Sequence, residues 1–376
     1  MMEAATDFRA LAGPIENEHV RAFKASGGQV VGFFCAHAPE ELFWAAGMLP
    51  VRMRGTGSED TSYADQYLGS VNCGFVRHTL DRILNGDLAF LNGLLIVNSC
   101  DHIRRLFDVC VAKQAASFCY YLDVPHIRSD DALARLTGQL GDLRDRLESF
   151  CGREITDDRL SAAIKLYNRT RALLGRAAEL RATDPPRVSG SEVLAMSVAA
   201  ASVPKDRFNP LLERRIEELE AGNGNSSPRG PRLMIVGGTL DDPGYLEVIE
   251  SLGATVVADQ LCWGSKAFGN MADEEGDPLE AIAGRMLDHL SCPRMIADYE
   301  RRLGALLEAV DRYQVDGIVC ERLKFCDLWG GEVKMLRESL KQGPGVPFLV
   351  LERDYLTAGG LGQLRTRVQA FLESFD

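Results

Sequence analysis

The run Gly93-Leu-Leu-Ile-Val97, then Asn98-Ser-Cys100, then Asp101 to Val111, decides the architecture. Five apolar residues closed by a polar stop read as a strand buried on both faces. Asp101 to Val111 reads as the helix that follows it. On the N-terminal side, Gln29–Cys35 is a strand, and it leads to Pro39, suited to a first helical turn, and to Glu40 and Glu41, suited to a helix's positive end. Met48–Met53 is extended, Gly55 to Tyr67 is a polar loop, and Gly74 to Asn85 is a helix with Val76, Leu80, Ile83 and Leu84 on one face. Ser117–Leu122 is a third strand. Strands alternating with helices predict an α/β fold with a parallel sheet.

From about Asp130 to Gly222 the strand signals vanish, and Thr156-Asp-Asp158 opens a long helix lined by Leu160, Ile164 and Tyr167. The stretch from Gly222 to Pro231, rich in Gly, Asn, Ser and Pro, reads as a linker. Strands then return at Leu233–Val236, Thr255–Ala258, Gly317–Cys320 and Phe348–Leu351, among helices marked by Leu303, Leu306, Leu307 and Val310 and by Leu364, Val368, Phe371 and Phe375. The expected organisation is an α/β domain over 1–129, a helical segment and linker over 130–230, and a second α/β domain over 231–376.

With 376 residues, 46% hydrophobic and 26% charged, the composition is that of a globular chain of more than one domain. The net charge of −12 argues against nucleic acid as a main partner. No apolar run approaches the ~20 residues of a membrane helix, and the first residues do not read as a secretory signal, so the expected compartment is cytoplasmic.

Ten cysteines in such a chain are read as small buried hydrophobes or as metal ligands, not as a disulfide framework. No CxxC pair is present. Cys100 follows a strand and precedes a helix, where ligands gather in open α/β sheets and where the helix start favours a thiolate. Cys73, in Val71-Asn-Cys-Gly74, and Cys326, in Lys324-Phe-Cys-Asp327, occupy similar junctions. Three such thiolates could share an iron–sulfur cluster that leaves one iron open. Cys35, Cys110, Cys119, Cys151 and Cys320 read as core, while Cys262 and Cys292 stay open.

His37, Glu40 and Glu41 lie past the first strand's end and are candidate acids or bases, with helix capping the plainer role for the two glutamates. His102 is either a hydrogen-bonding neighbour of a cluster or an exposed first-turn residue. Arg52, Arg54 and Arg77, with Arg104 and Arg105, form a basic set that could meet ligand phosphates. Gly237-Gly238 reads as a tight turn, and no Walker loop occurs.

Four stretches resemble one family. They are Pro39-Glu-Glu-Leu-Phe-Trp-Ala-Ala-Gly-Met-Leu-Pro50-Val-Arg, Asn98-Ser-Cys-Asp-His-Ile-Arg-Arg, Lys324-Phe-Cys-Asp and Gly362-Gln-Leu-Arg-Thr-Arg-Val-Gln-Ala-Phe-Leu-Glu373. They resemble the cluster-bearing subunits of the 2-hydroxyacyl-CoA dehydratase and class I benzoyl-CoA reductase family, and Val71-Asn-Cys-Gly-Phe-Val-Arg-His78 leans towards the smaller benzoyl-CoA reductase subunit. The resemblance implies two flavodoxin-like (Rossmann-like) parallel-sheet domains joined by a helical segment. It implies a [4Fe–4S] cluster on Cys73, Cys100 and Cys326. It also implies a homologous partner subunit, a separate ATP-hydrolysing iron–sulfur activator and a CoA-thioester substrate. His37 or His102 would supply the proton, and Arg52, Arg54 and Arg77 would bind substrate. The expected activity is ring reduction of an aromatic CoA thioester. Radical dehydration of a 2-hydroxyacyl-CoA and a purely electron-relaying role are the alternatives. So is a homodimeric small-molecule reductase carrying a double-cubane [8Fe–9S] cluster. The double cubane needs about twice the thiolates, drawn from Cys119, Cys320 or Cys35.

Overall fold

Eight strands, all parallel to their neighbours, form two four-stranded sheets in the computed structural model, which describes residues 6–222, 230–289, 292–343, 345–356 and 360–375. The first sheet comprises β1 (Gln29–Phe33), β2 (Met48–Arg52), β3 (Gly93–Val97) and β4 (Phe118–Leu122), in the order β2-β1-β3-β4. The second comprises β5 (Arg232–Gly237), β6 (Thr255–Gln260), β7 (Gly317–Leu323) and β8 (Phe348–Arg353), in the order β6-β5-β7-β8. The two orders are the same pattern, that of flavodoxin-like sheets, in which ligands collect beyond the strands' carboxyl ends. Every residue of β3 is buried, as the apolar run requires.

Residues 130–220 carry four helices: Asp130–Cys151, Asp157–Glu179, Gly190–Ala200 and Lys205–Glu220. Thr156 caps the second of these by accepting from the Arg159 N–H. The linker expected over 222–231 falls mostly on residues 223–229, outside the described residues.

Strand ends differ from the sequence reading. β1 stops at Phe33, so Cys35 lies beyond the sheet. β6, β7 and β8 run on through Asp259-Gln260, Glu321-Arg-Leu323 and Glu352-Arg353. Two of those polar extensions are stabilised by buried ion pairs: Asp259 with Arg181 at 2.8 Å, and Glu321 with Arg353.

The cores interlock. The N-terminal helix Phe8–Ala12 packs into the core around β5 and β6, with Val193, Phe208, Ile235 and Tyr245. Leu279, Ile282, Ala283 and Met286, from the helix Pro278–Asp288, pack into the core around β1 and β3, with Val31, Leu95 and Leu136.

Candidate functional site

A cavity of about 110 Å³ lies between the two sheets, beyond the carboxyl ends of their strands. Cys35, Cys73, Cys100, Cys262, Cys292 and Cys326 all line it, together with His37, His289, Arg52, Phe34, Gly238, Leu323 and Trp329. Each half of the chain contributes three of these cysteines.

Cys73, Cys100 and Cys326 share one local geometry. Each is the N-cap of a helix: Gly74–Leu84, Asp101–Ala112 and Asp327–Gln342 respectively. Caps are normally Ser, Thr, Asp or Asn, whose oxygen accepts from the first turn. Here none of the three side chains makes a full cap bond, yet first-turn N–H groups face the sulfurs: Phe75 and Val76 at Cys73, His102 and Ile103 at Cys100, and Trp329 at Cys326. Three positive helix ends therefore point at one space, which favours thiolates within it. Phe325, just before Cys326, has φ = 65° and is half exposed, so a left-handed turn in a bulky residue sets the approach of that cysteine.

His102 holds this arrangement from behind. Its Nδ1 accepts the Cys73 N–H at 3.1 Å, so its ring serves the backbone and does not line the cavity. His37 does line it, fully buried, with Nδ1 3.6 Å from the sulfur of Cys35 and its ring edge-on to His289 at 4.9 Å. Burial, and then the charge of Arg294, hold His37 well below the ordinary histidine range.

Burial pushes the thiols up. Cys73 is raised to about 12, with the Cys100 sulfur adding to the rise, and Cys292 is also raised to about 12, with Cys262 and Cys35 adding. Cys100, Cys262 and Cys326 are raised for the same leading reason. Buried thiols of this kind ionise when a metal takes the proton's place. No three His, Cys, Asp or Glu among the described residues converge tightly enough to grip a single ion. A polynuclear cluster makes a different demand, with thiolates spread around a space so that each meets its own iron. Six cysteines around a largely apolar, partly open cavity fit that demand.

The remaining predicted site residues sit apart from the cavity, except Arg52. Arg52 lies on its wall and donates to the Cys262 carbonyl at 2.6 Å. Arg54 is buried and donates to the carbonyls of Ala12 and Gly13. Arg77 forms an ion pair with Asp65 at 2.6 Å and donates to Thr61. Arg54 thus spends its donors inside the protein, and Arg77 spends its own on a surface ion pair. The two glutamates expected at a helix start do sit in the first turn of the helix Glu40–Ala45, and both are also ion-paired. Glu41 is buried and meets Arg171 at 2.5 Å and Arg285 at 3.4 Å, while Glu40 meets Lys205 at 3.5 Å. Gly237 and Gly238 are packing positions. A Cβ at Gly237 would lie 2.4 Å from the Glu321 carbonyl oxygen, and one at Gly238 would lie 3.0 Å from Trp329.

His289 is the residue that sequence reasoning misses; the sequence reads Cys35 as core or as an alternative extra thiolate, and it leaves Cys262 and Cys292 open. Cys35 and Cys262 each stand two positions beyond a strand, β1 and β6, at a sheet's ligand-gathering end. That position was a readable signal. Cys119 and Cys320, two of the three extra thiols weighed for a larger cluster, do not line the cavity, whereas Cys35 does.

The profile of the 2-hydroxyglutaryl-CoA dehydratase, D-component family matches residues 35–375. Among curated relatives, YjiM of Escherichia coli strain K12, provisionally named a dehydratase subunit, is 28% identical over 94% of this chain and 93% of its own. One of the benzoyl-CoA reductase subunits of Thauera aromatica is 27% identical over 92% of this chain and 90% of its own. The beta subunit of (R)-2-hydroxyglutaryl-CoA dehydratase from Acidaminococcus fermentans is 27% identical over 94% of both chains. Spanning nearly its whole length, these matches show that the chain belongs to the 2-hydroxyglutaryl-CoA dehydratase D-component family, which includes dehydratase and benzoyl-CoA reductase subunits.

Proposed function

We propose that this chain is the iron–sulfur component of a low-potential reductase that receives electrons from a separate ATP-hydrolysing iron–sulfur activator. The observation that carries this reading is the gathering of six cysteines, three from each half of the chain, around one cavity between the sheets. Six donors are more than one [4Fe–4S] cubane uses, and they suit a double-cubane [8Fe–9S] cluster. Cys35, Cys73, Cys100, Cys262, Cys292 and Cys326 would hold it. When bound, such a cluster supplies one-electron reducing power. The protein's own part is to exclude water with Phe34, Leu323 and Trp329, to set three ligands on helix starts, and to place His37 where it can hand on a proton. His102 is then a positioning residue for Cys73. With Arg54 and Arg77 spent on protein partners, two of the cations expected at CoA phosphates are lost, which favours a small substrate. The form proposed is a pair of identical chains in the cytoplasm.

The second reading rests on the relatives. It places a single [4Fe–4S] cluster on Cys73, Cys100 and Cys326, a homologous partner subunit beside this one, and a CoA thioester as substrate for ring reduction or dehydration. Anaerobic purification with iron and sulfide analysis separates the two. About eight irons per chain support the first reading, about four support the second, and none sinks both. Turnover with the activator present, on benzoyl-CoA, on a 2-hydroxyacyl-CoA and on small reducible molecules, then assigns the substrate class.

A further inference from the structure

A second, smaller cavity of about 40 Å³ adjoins the thiol cavity and shares Ala36 and Arg52 with it as wall residues. It lies where the first sheet meets the helices Asp157–Glu179, Gly190–Ala200 and Lys205–Glu220. Glu40, Tyr167, Arg171, Ser197 and Lys205 also line it. Two wall residues carry a buried polar atom with no hydrogen-bond partner among the described residues. They are Ser197, through Oγ, and Arg52, through Nε, and the residues are only 4% and 6% exposed. Buried polar groups are normally satisfied, by the protein or by something held between them.

The carboxylates near this cavity do not match its cations. Glu41 serves both Arg171 at 2.5 Å and Arg285 at 3.4 Å. Glu40 meets Lys205 at 3.5 Å and acts on Arg52 from farther away, and Lys205 also donates to the Ala200 carbonyl. Arg52 forms no ion pair among the described residues; it donates to the Cys262 carbonyl at 2.6 Å and lies 4.1 Å from the ring centre of Trp263. Asp241 acts on Arg52 and on Arg54 alike, and accepts from Tyr355 at 2.6 Å and Thr56 at 2.8 Å. Asp206 is exposed. Even with the Cys35 and Cys262 sulfurs set against Arg52, the three cations Arg171, Arg285 and Lys205 share the two carboxylates Glu40 and Glu41, a surplus of one positive charge. Buried charge without a counter-charge is costly, so an anion suits this space better than water does.

We propose that this chamber is a binding site for a small monovalent oxyanion, a carboxylate or an inorganic anion of about three or four non-hydrogen atoms. A buried water needs about 10–15 Å³, so the space takes roughly three waters or one such anion. Ser197 Oγ–H and Arg52 Nε–H are the free donors for its oxygens, and Arg171 and Lys205 supply the field. An anion held here would stand next to the space where reduction is proposed, with Arg52 common to both. The step is binding alone: no bond forms or breaks and no electron moves.

The test uses the full-length protein, purified anaerobically in chloride, with its iron measured and its binding of formate and nitrate followed by calorimetry at constant ionic strength. Formate stands for a carboxylate and nitrate for an inorganic anion, and the tighter of the two identifies the source. At least one should bind saturably at one site per chain, and sulfate, larger and divalent, should bind at least about tenfold more weakly. Ser197→Ala should weaken binding about tenfold, the loss of one hydrogen bond to a charged group. Arg52→Lys keeps the charge but not the Nε donor and should weaken it by a similar factor. Saturable binding that is unchanged in Ser197→Ala overturns the proposal. So does the absence of binding by either anion, which leaves the chamber to water. If Ser197→Ala does not fold, Arg52→Lys decides on the same comparison. Iron-free wild-type protein that binds the anion defeats the cluster reading alone, and protein with full iron that binds neither anion defeats this site alone.

Discussion

The backbone N–H of Cys73 donates a 3.1 Å hydrogen bond to Nδ1 of His102, tying the N-cap of one cavity-facing helix to the first turn of another. Because Asp101 and His102 directly follow Cys100, the same contact fixes the spacing of two candidate ligands. His102→Ala should lower stability by about 1 kcal/mol, the worth of one partly buried hydrogen bond, and lower iron content more than that loss explains. The check is to measure thermal unfolding and iron stoichiometry on the same sample. Iron content equal to wild type would remove His102 from any role at the site.

The six cavity cysteines and the four others should separate cleanly. Serine at Cys35, Cys262 or Cys292 should cost iron as serine at Cys73, Cys100 or Cys326 does. Cys110→Ser buries a hydroxyl in a core position that is fully shielded, so it should cost about 1–3 kcal/mol and leave iron intact. If only Cys73, Cys100 and Cys326 matter for iron, the single-cubane reading gains and the double cubane is lost.

Glu41 predicts an acid limit. Burial alone would raise its carboxyl, but Arg171 and Arg285 outweigh burial and hold it at about 2. A depressed carboxylate stabilises the fold fully above its ordinary value near 4.5, and that contribution is lost as pH falls from there towards 2. It amounts to roughly 3 kcal/mol. Glu41→Gln should be about 3–5 kcal/mol less stable at pH 7, since it leaves two buried guanidinium groups short of a partner. Its unfolding temperature should also fall less steeply than that of wild type between about pH 5 and pH 3. Parallel curves would show that Glu41 does not set the acid response.

Two of the arginines expected at a substrate site should behave as structural residues. Arg54→Ala strips the Ala12 and Gly13 carbonyls of their donor and should destabilise by about 2–3 kcal/mol. Arg77→Ala breaks a surface ion pair with Asp65 and should cost at most about 1 kcal/mol. Neither should alter the binding of free coenzyme A, measured by calorimetry. A clear loss of binding in Arg77→Ala would return that residue to the ligand site.

Most of the architecture was legible because the inner strands are buried on both faces and so appear as uninterrupted apolar runs, β3 above all, while the edge strands β4 and β8 are half-buried. What escaped was charge buried by pairing. Glu321 and Asp259 look like strand terminators, yet each continues its strand because an arginine from another element neutralises it. The site was half legible for a related reason. Cys73, Cys100 and Cys326 stand before helices and advertise themselves by replacing normal caps. Cys35 hid behind a strand read two residues too long, Cys292 lies where no periodicity guides the eye, and only the folded chain brings them together.

The crossed packing of Phe8–Ala12 and Pro278–Asp288 has a mechanical consequence. Each half carries a piece of the other's interior, so the two are clasped like linked hands, and prising them apart would expose apolar surface on both. Wholesale gaping is thus an expensive way to admit an inorganic core or a reactant. Phe325 and Val71, beside Cys326 and Cys73, are by contrast exposed apolar residues outside that clasp.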